Sequence, residues 1–159
     1  MSSEEQPEPD DYSLRPAHNH DAVAVAELVE AAYEHYIEQI GMVPGPMTLD
    51  YGTVIADRHV TVAERDGHII GVLVLCLDHD SIVIENVAVL PAHRGMGVGR
   101  ALLAFAEDEA VRSGYGTIHL YTHELMTENV SLYSRIGYVE YKRSDHDSFR
   151  LVHMRKRVL

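Results

Sequence analysis

Apolar and polar positions recur along this chain with two different periods, and the switches between those periods mark its elements. Apolar side chains at Val25, Leu28, Val29, Ala32, Tyr36 and Ile40 follow the i, i+3, i+4, i+7 spacing of a helix with one buried face. Asn19 or Asp21 supplies its cap and Gly41 its stop. A short strand is expected before it over 12–16, and a shorter helix after the break at Pro44-Gly45-Pro46, over 49–56. Val60 and Val62 alternate with polar neighbours as a strand, Asp66-Gly67 signals a hairpin, and 69–77 returns as a nearly continuous apolar strand buried on both faces. Ile82, Val83, Ile84, Val87 and Val89 form the next strand, which Pro91 stops. From Val98 the helix period resumes at Ala101, Leu102, Phe105, Ala106 and Ala110, up to a capping Gly114. A strand over 117–122, a helix over 128–135 and strands over 138–142 and 151–155, joined by a polar loop over 144–148, complete the order. This order predicts an α/β fold with a mixed, mostly antiparallel central sheet and flanking helices.

Between the strand ending at Val89 and the helix starting at Val98 lies Arg94-Gly95-Met96-Gly97-Val98-Gly99, with a glycine at every second position. The first N–H groups of a helix lack internal partners, and the helix dipole adds positive charge there. Glycines let a ligand approach the backbone, so the loop reads as a cradle for a phosphate or pyrophosphate, flanked by Arg94. Gly99 is followed by Arg100-Ala101 rather than Lys-Ser/Thr, which is unlike a P-loop, and G-x-G-x-G is not the dinucleotide spacing. Without a ligand the same segment is a glycine-rich turn.

Arg94-x-x-Gly97-x-Gly99 resembles the R/Q-x-x-G-x-G/A signature of the GNAT superfamily of N-acetyltransferases, and Val87-Ala88-Val89 before Pro91 is similar to that family's fourth strand. The resemblance spans residues 12–159, expected as a single domain behind a disordered acidic tail over 1–11. It implies the acyl-CoA N-acyltransferase fold and acetyl-CoA as cosubstrate. The implied cofactor contacts come from Val87, Ala88, Val89, Arg94, Gly95, Met96, Gly97, Val98, Gly99 and Arg100.

Composition narrows the functional classes. With 46% hydrophobic and 24% charged residues, the 159-residue chain is of ordinary globular type. A formal net charge of −12 opposes broad nucleic-acid binding. No apolar run approaches a membrane span, and the acidic N-terminus is unlike a secretory signal. Cys76, the single cysteine, sits in an apolar run as a small core residue, and a cytoplasmic, reducing setting is expected.

Acetyl transfer from a thioester requires a deprotonated amine and a donor for the departing thiolate. Glu85 is the one charged residue in the apolar run 82–90, and strict alternation sets it on one face with Val83, Val87 and Val89. The resemblance gives that position to a catalytic glutamate; the other reading is a solvent-facing edge residue. The segment from Asn129 to Tyr138 resembles the family block in which a tyrosine, here Tyr133, lies near the thioester sulfur as an acid, and an asparagine contacts the cofactor. The family's asparagine position is occupied by Met126, and Asn129 stands one helical turn on, on the same face. Tyr133 also reads as a core tyrosine. His119 and His123, four apart on a strand, are about 13 Å apart and carry no metal signature, and His93 reads as a surface residue.

The function expected is therefore acetyl-CoA-dependent N-acetyl transfer to a primary amine of a small molecule or polypeptide, without a metal. The alternative is a CoA-binding module without catalysis. The acidic residues Glu27, Glu30, Glu34, Glu38, Asp50, Asp57, Asp145 and Asp147 favour a cationic acceptor if they surround its entrance. A homodimer is common among similar proteins.

Overall fold

A computed structural model describes residues 11–159. The acidic tail expected over 1–11 thus lies outside the described residues, Asp11 excepted. Seven strands form one sheet in the order β1-β2-β3-β4-β5-β7-β6. They are β1 (Ser13–Pro16), β2 (His59–Arg65), β3 (His68–Leu77), β4 (Ile82–Val89), β5 (Thr117–His123), β6 (Val139–His146) and β7 (Phe149–Arg157). The helices are α1 (Ala22–Tyr33), α2 (Tyr36–Ile40), α3 (Tyr51–Asp57), α4 (Val98–Arg112) and α5 (Thr127–Arg135). Every strand pair is antiparallel except β4 with β5, as the mixed-sheet expectation requires.

Two cores lie on opposite faces of the sheet. Val98, Leu102, Leu103 and Ala106 of α4 bury against Leu73, Leu75, Ile82 and Ile84, with Tyr133 of α5. Val25, Leu28, Val29 and Ala32 of α1, with Tyr51 of α3, bury against Val60, Val62, Val72, Val74 and Ala88. Gly71 sets how closely α4 approaches: a Cβ there would lie 3.0 Å from Val98 Cγ1 and 3.1 Å from Leu102 Cδ1. The first turn of α4, and the glycine loop before it, is seated on β3 by that absent methyl.

Two expected elements differ. The helix expected from 19–21 to Gly41 is broken: α1 ends at Tyr33, and Ile37 N donates to Glu34 O at 3.2 Å, an i+3 bond that tightens the chain before α2. The polar loop expected over 144–148 is mostly strand, because β6 is an exposed edge where polar residues fit. Asp145 pairs with Arg150 and His146 stacks on Phe149 across the hairpin.

Asp21 ties the first strand to the first helix. Its buried carboxylate accepts from Arg15 Nη1 at 2.8 Å, Arg15 Nη2 at 3.1 Å and His18 N at 2.7 Å, and Arg15 also pairs with Glu64 of β2. The hydrogen bonds from Arg15 hold the carboxyl at about 2, below its ordinary 3.8. A depressed folded-state value contributes fully above the unfolded value and is lost as pH falls through the folded one. Urea unfolding should therefore find Asp21→Asn about 2 kcal/mol less stable than wild type at pH 7. The gap should close as pH is lowered from about 4 towards 2.

Candidate active site

The glycine loop leaves β4, passes a 3-10 turn over Pro91–His93 and enters α4 at Val98. Gly95 and Gly97 adopt left-handed backbone, with φ of +84° and +83°, where a side chain is strained. Gly97 caps α4 without a side-chain cap hydrogen bond, and the first turn holds no acidic residue. The bond from Ala101 N to Gly97 O, 3.0 Å, is the first to close the helix. The N–H groups of Val98, Gly99 and Arg100 are thus presented at a dipole-positive helix start. Arg94 braces the loop, its Nη2 donating to Ala32 O at the end of α1 at 2.9 Å.

In front of this helix start lies a cleft of about 670 Å³. Val87, Ala88, Val89, Arg94, Gly95, Gly97, Val98, Gly99, Arg100, Asn129 and Tyr133 line it, all sequence-predicted, together with Ala32, Tyr33, Tyr36, His93, Leu103, Glu128, Leu132 and Arg135. Met96 is the exception in the loop. Its side chain packs against the α4-side core and its Sδ accepts from Arg65 Nη1 at 3.6 Å, leaving it a backbone role.

The cleft exists because β4 and β5 part company. They pair only from Ile82 with Ile118 to Ile84 with Leu120, although β4 runs on to Val89 and β5 to His123. Backbone groups of β4 beyond Ile84 that face β5 have no strand partner there, and the Tyr33 hydroxyl donates to Val87 O at 3.5 Å. The parting coincides with a bulge on the other edge of β4, where Leu75 pairs with Ile84 and Val74 with Asn86, leaving Glu85 unopposed.

The bulge also corrects the placement of Glu85. Val87 and Val89 pack on the α4-side core, whereas Glu85 goes to the other face, and it does not line the cleft. The extra residue reverses the alternation, so Glu85 no longer shares a face with Val87 and Val89. Glu85 Oε2 accepts from Arg58 Nε at 3.1 Å, at the end of α3. Cys76 stands beside this pair, half-buried rather than in the core, its thiol pushed up by burial and then by Glu85.

Tyr133 is buried on the cleft wall, its ring edge-on to Tyr138 with centroids 5.9 Å apart. Burial, then Tyr36, holds its hydroxyl well above the ordinary tyrosine range, so it is protonated at neutral pH and available as a donor. Asn129 accepts from the Tyr36 hydroxyl at 3.4 Å and sits in the cleft, while Met126 is buried in the α1-side core. Helical spacing thus brings the displaced amide back to the same cleft.

Sequence reasoning missed Tyr33, Tyr36 and Asn86. The Tyr33 hydroxyl donates to Asn86 Oδ1 at 2.7 Å, Asn86 Nδ2 to the Tyr51 hydroxyl at 3.3 Å, and that hydroxyl to Pro46 O at 2.6 Å. This buried chain fixes Tyr33 on the cleft wall. Its signal was present: an asparagine inside an apolar strand needs partners, and tyrosines on a buried helix stripe can supply them. His93, expected at the surface, is half-buried in the cleft wall, with Nδ1 buried and unpartnered. His123 Nδ1 instead accepts from Leu125 N in a turn, at 3.1 Å. Among the described residues, no three His, Cys, Asp or Glu side chains converge as metal ligands. No helix among them is long and apolar enough to cross a membrane.

Comparison with known proteins matches residues 23–138 to the Acetyltransferase (GNAT) family. The chain belongs to the GNAT acetyltransferase family. The activity of that family is acetyl-CoA-dependent transfer to an amine. An IAA acetyltransferase of Azospirillum brasilense is 28% identical over 120 residues, covering 74% of this chain and 78% of that protein. An aminoalkylphosphonate N-acetyltransferase of Salmonella typhimurium is 34% identical over 86 residues, covering 50% of this chain and 56% of that protein. The PaiA N-acetyltransferase of Thermoplasma acidophilum, solved with coenzyme A, shares the fold at a TM-score of 0.78 with 17% identity, over 92% of this chain and 98% of its own.

A branched side chain at Gly99 would contact Val89 and occupy the cleft wall, since a Cβ there already lies 3.6 Å from Val89 Cγ2. Calorimetry should therefore find Gly99→Val weaker for coenzyme A by roughly tenfold or more. Gly97→Val should in addition lose about 1–2 kcal/mol of stability from its left-handed backbone.

Proposed function

We propose that this chain transfers the acetyl group of acetyl-CoA to a primary amine by direct attack, in the cleft where β4 and β5 part. The observation that carries this reading is the convergence, on one cleft, of a bare helix N-terminus, an unpaired strand edge and a buried protonated tyrosine. The residues suit the cofactor. Main-chain N–H groups of Val98, Gly99 and Arg100 would hold its pyrophosphate, and the open edge of β4 at Val87 and Val89 would hydrogen-bond its amide-bearing arm. When bound, acetyl-CoA supplies an activated acetyl thioester.

Tyr133 donates a hydrogen bond or a proton towards the departing sulfur. Asn129 and Tyr36, already bonded to one another, line the wall beside it. An alkylammonium with a pKa near 10 must lose a proton before it attacks. Glu85 is assigned that proton: it sits at the bulge, on the face away from α4, next to the backbone where the strands separate. Arg58 fixes its carboxylate in place.

Steady-state assays following thiol release from acetyl-CoA against a panel of amines test the assignment. Tyr133→Phe should lower kcat on the order of 10²-fold with little change in coenzyme A affinity. Glu85→Gln should lower kcat about tenfold or more. Near-full kcat in both variants would leave catalysis by proximity alone. Cofactor binding without thiol release to any amine would favour a non-catalytic CoA-binding module.

A further inference from the structure

Helices α1 and α3 pack over β2, β3 and β4, and beyond β4 the same face of the sheet continues across β5, β7 and β6. Its side chains form a connected band. Tyr121 lies 5.9 Å from His153 by ring centroids, His153 lies 6.2 Å from Tyr141, and Tyr141 lies 5.7 Å from His119. Tyr121 and Tyr141 are 42% and 36% exposed, so the band is a surface rather than a core. Two cations cap it: the Arg155 guanidinium lies 4.6 Å from the centre of the Tyr141 ring and Lys142 Nζ 5.9 Å from it. At its inner edge, where β4 meets β5, stands Glu85, already paired with Arg58.

Charge is unevenly distributed in the same sense. Residues 139–157 hold six of the 13 Lys and Arg and three of the 25 Asp and Glu. Arg143, Arg150 and Lys156 lie on the α4 side, paired with Glu140, Asp145 and Glu107, and Lys142, Arg155 and Arg157 lie on the shelf side. Strand register sends the β6 carboxylates to the opposite face: Glu140 lies across from buried Met154, and Asp145 across from Arg150, which it pairs. Of the acidic residues that favoured a cationic acceptor, Asp145 and Asp147 belong to the β6–β7 hairpin, with Asp145 turned to the other face and paired with Arg150. Glu27 lines a separate hollow beside the β2–β3 hairpin, and Asp50 caps α3.

We propose that the acceptor is a polypeptide amine in an acidic context, laid across this aromatic and cationic shelf. The proposal rests on the acetyl-transfer reading and names its substrate class. Small-molecule sites are concave, whereas an exposed sheet face suits an extended chain. Neighbouring strands lie about 4.8 Å apart, so Lys142 on β6 and Arg155 on β7 are about 10–14 Å from β4. An extended peptide covers that span in about three or four residues. With its amine at the parting of β4 and β5, it places its third to fifth residues over the two cations.

The test uses the full chain loaded with coenzyme A, which binds acceptors without turnover. Calorimetry compares three peptides with a free N-terminal amine, identical except for Glu, Ser or Lys at positions 3–5. The Glu peptide should bind with a Kd about tenfold or more below that of the Lys peptide. Lys142→Glu combined with Arg155→Glu should erase or invert that preference, and Arg150→Glu on the opposite face should keep it. If the double variant does not fold, Lys142→Gln and Arg155→Gln should each reduce the preference about threefold. Equal affinity for the three peptides, tighter binding of the Lys peptide, or a preference that survives the folded shelf variants overturns the substrate class alone. Failure of coenzyme A itself to bind overturns the acetyl-transfer reading and this inference with it.

Discussion

At Glu85 strand β4 carries one residue more than β3 opposes, and the arrangement of the site follows from that mismatch. A bulge increases local twist and reverses the side-chain alternation beyond it. Here β4 leaves β5 directly after Ile84. The parting opens a cleft walled by residues of both cores, with Tyr33, Tyr36 and Ala88 from one face and Val98, Leu103 and Tyr133 from the other. It also leaves backbone hydrogen-bonding groups without a strand partner and turns Glu85 towards Arg58 instead of the α4 side. A regular β4 would keep pairing, and the same residues would make an unbroken sheet.

The rest of the fold holds this opening at a fixed width. The bare Cα of Gly71 lets the first turn of α4 settle against β3, so the glycine loop meets the end of β4 directly. Arg94 ties that loop to the last turn of α1 across the cleft. Behind α1, the chain from Tyr33 through Asn86 to Tyr51 and Pro46 satisfies buried polar groups that would be costly alone. Burial keeps the Tyr33 and Tyr133 hydroxyls protonated, so both remain donors. A wall built from satisfied donors and packed rings is preorganised, which is what positioning a thioester against an amine demands.

The two sides of the sheet differ in character. The α4 side offers backbone dipoles to an anion, a local device that a helix start and three glycines are enough to build. The other side offers rings and cations drawn from β5, β6 and β7, strands that come together only because β7 inserts between the other two. Glu27, Glu30, Glu34 and Glu38 of the α1 region do not line the cleft.

What the sequence determined by itself was whatever depends on neighbours within a few residues. The hairpin at Asp66-Gly67, the glycine loop, the α4 stripe from Val98 to Ala110 and the stop at Gly114 were all legible, because backbone strain and helical period act locally. Six of the residues that line the cleft, Arg94, Gly95, Gly97, Val98, Gly99 and Arg100, come from that loop and the turn it enters. The tertiary structure decided the rest. Strict alternation assigned Glu85 to the wrong side, because a bulge is a property of two strands and β4 shows no mark of it on its own. Met96 left the cleft because Arg65 and the α4-side core accommodate it, and Asn129 entered because Met126 was taken into the other core. His93 was drawn half inside by the cleft and the hollow that it separates. Each outcome turned on contacts between residues far apart in the chain, and a one-dimensional pattern of apolar and polar positions carries their periods but not their partners.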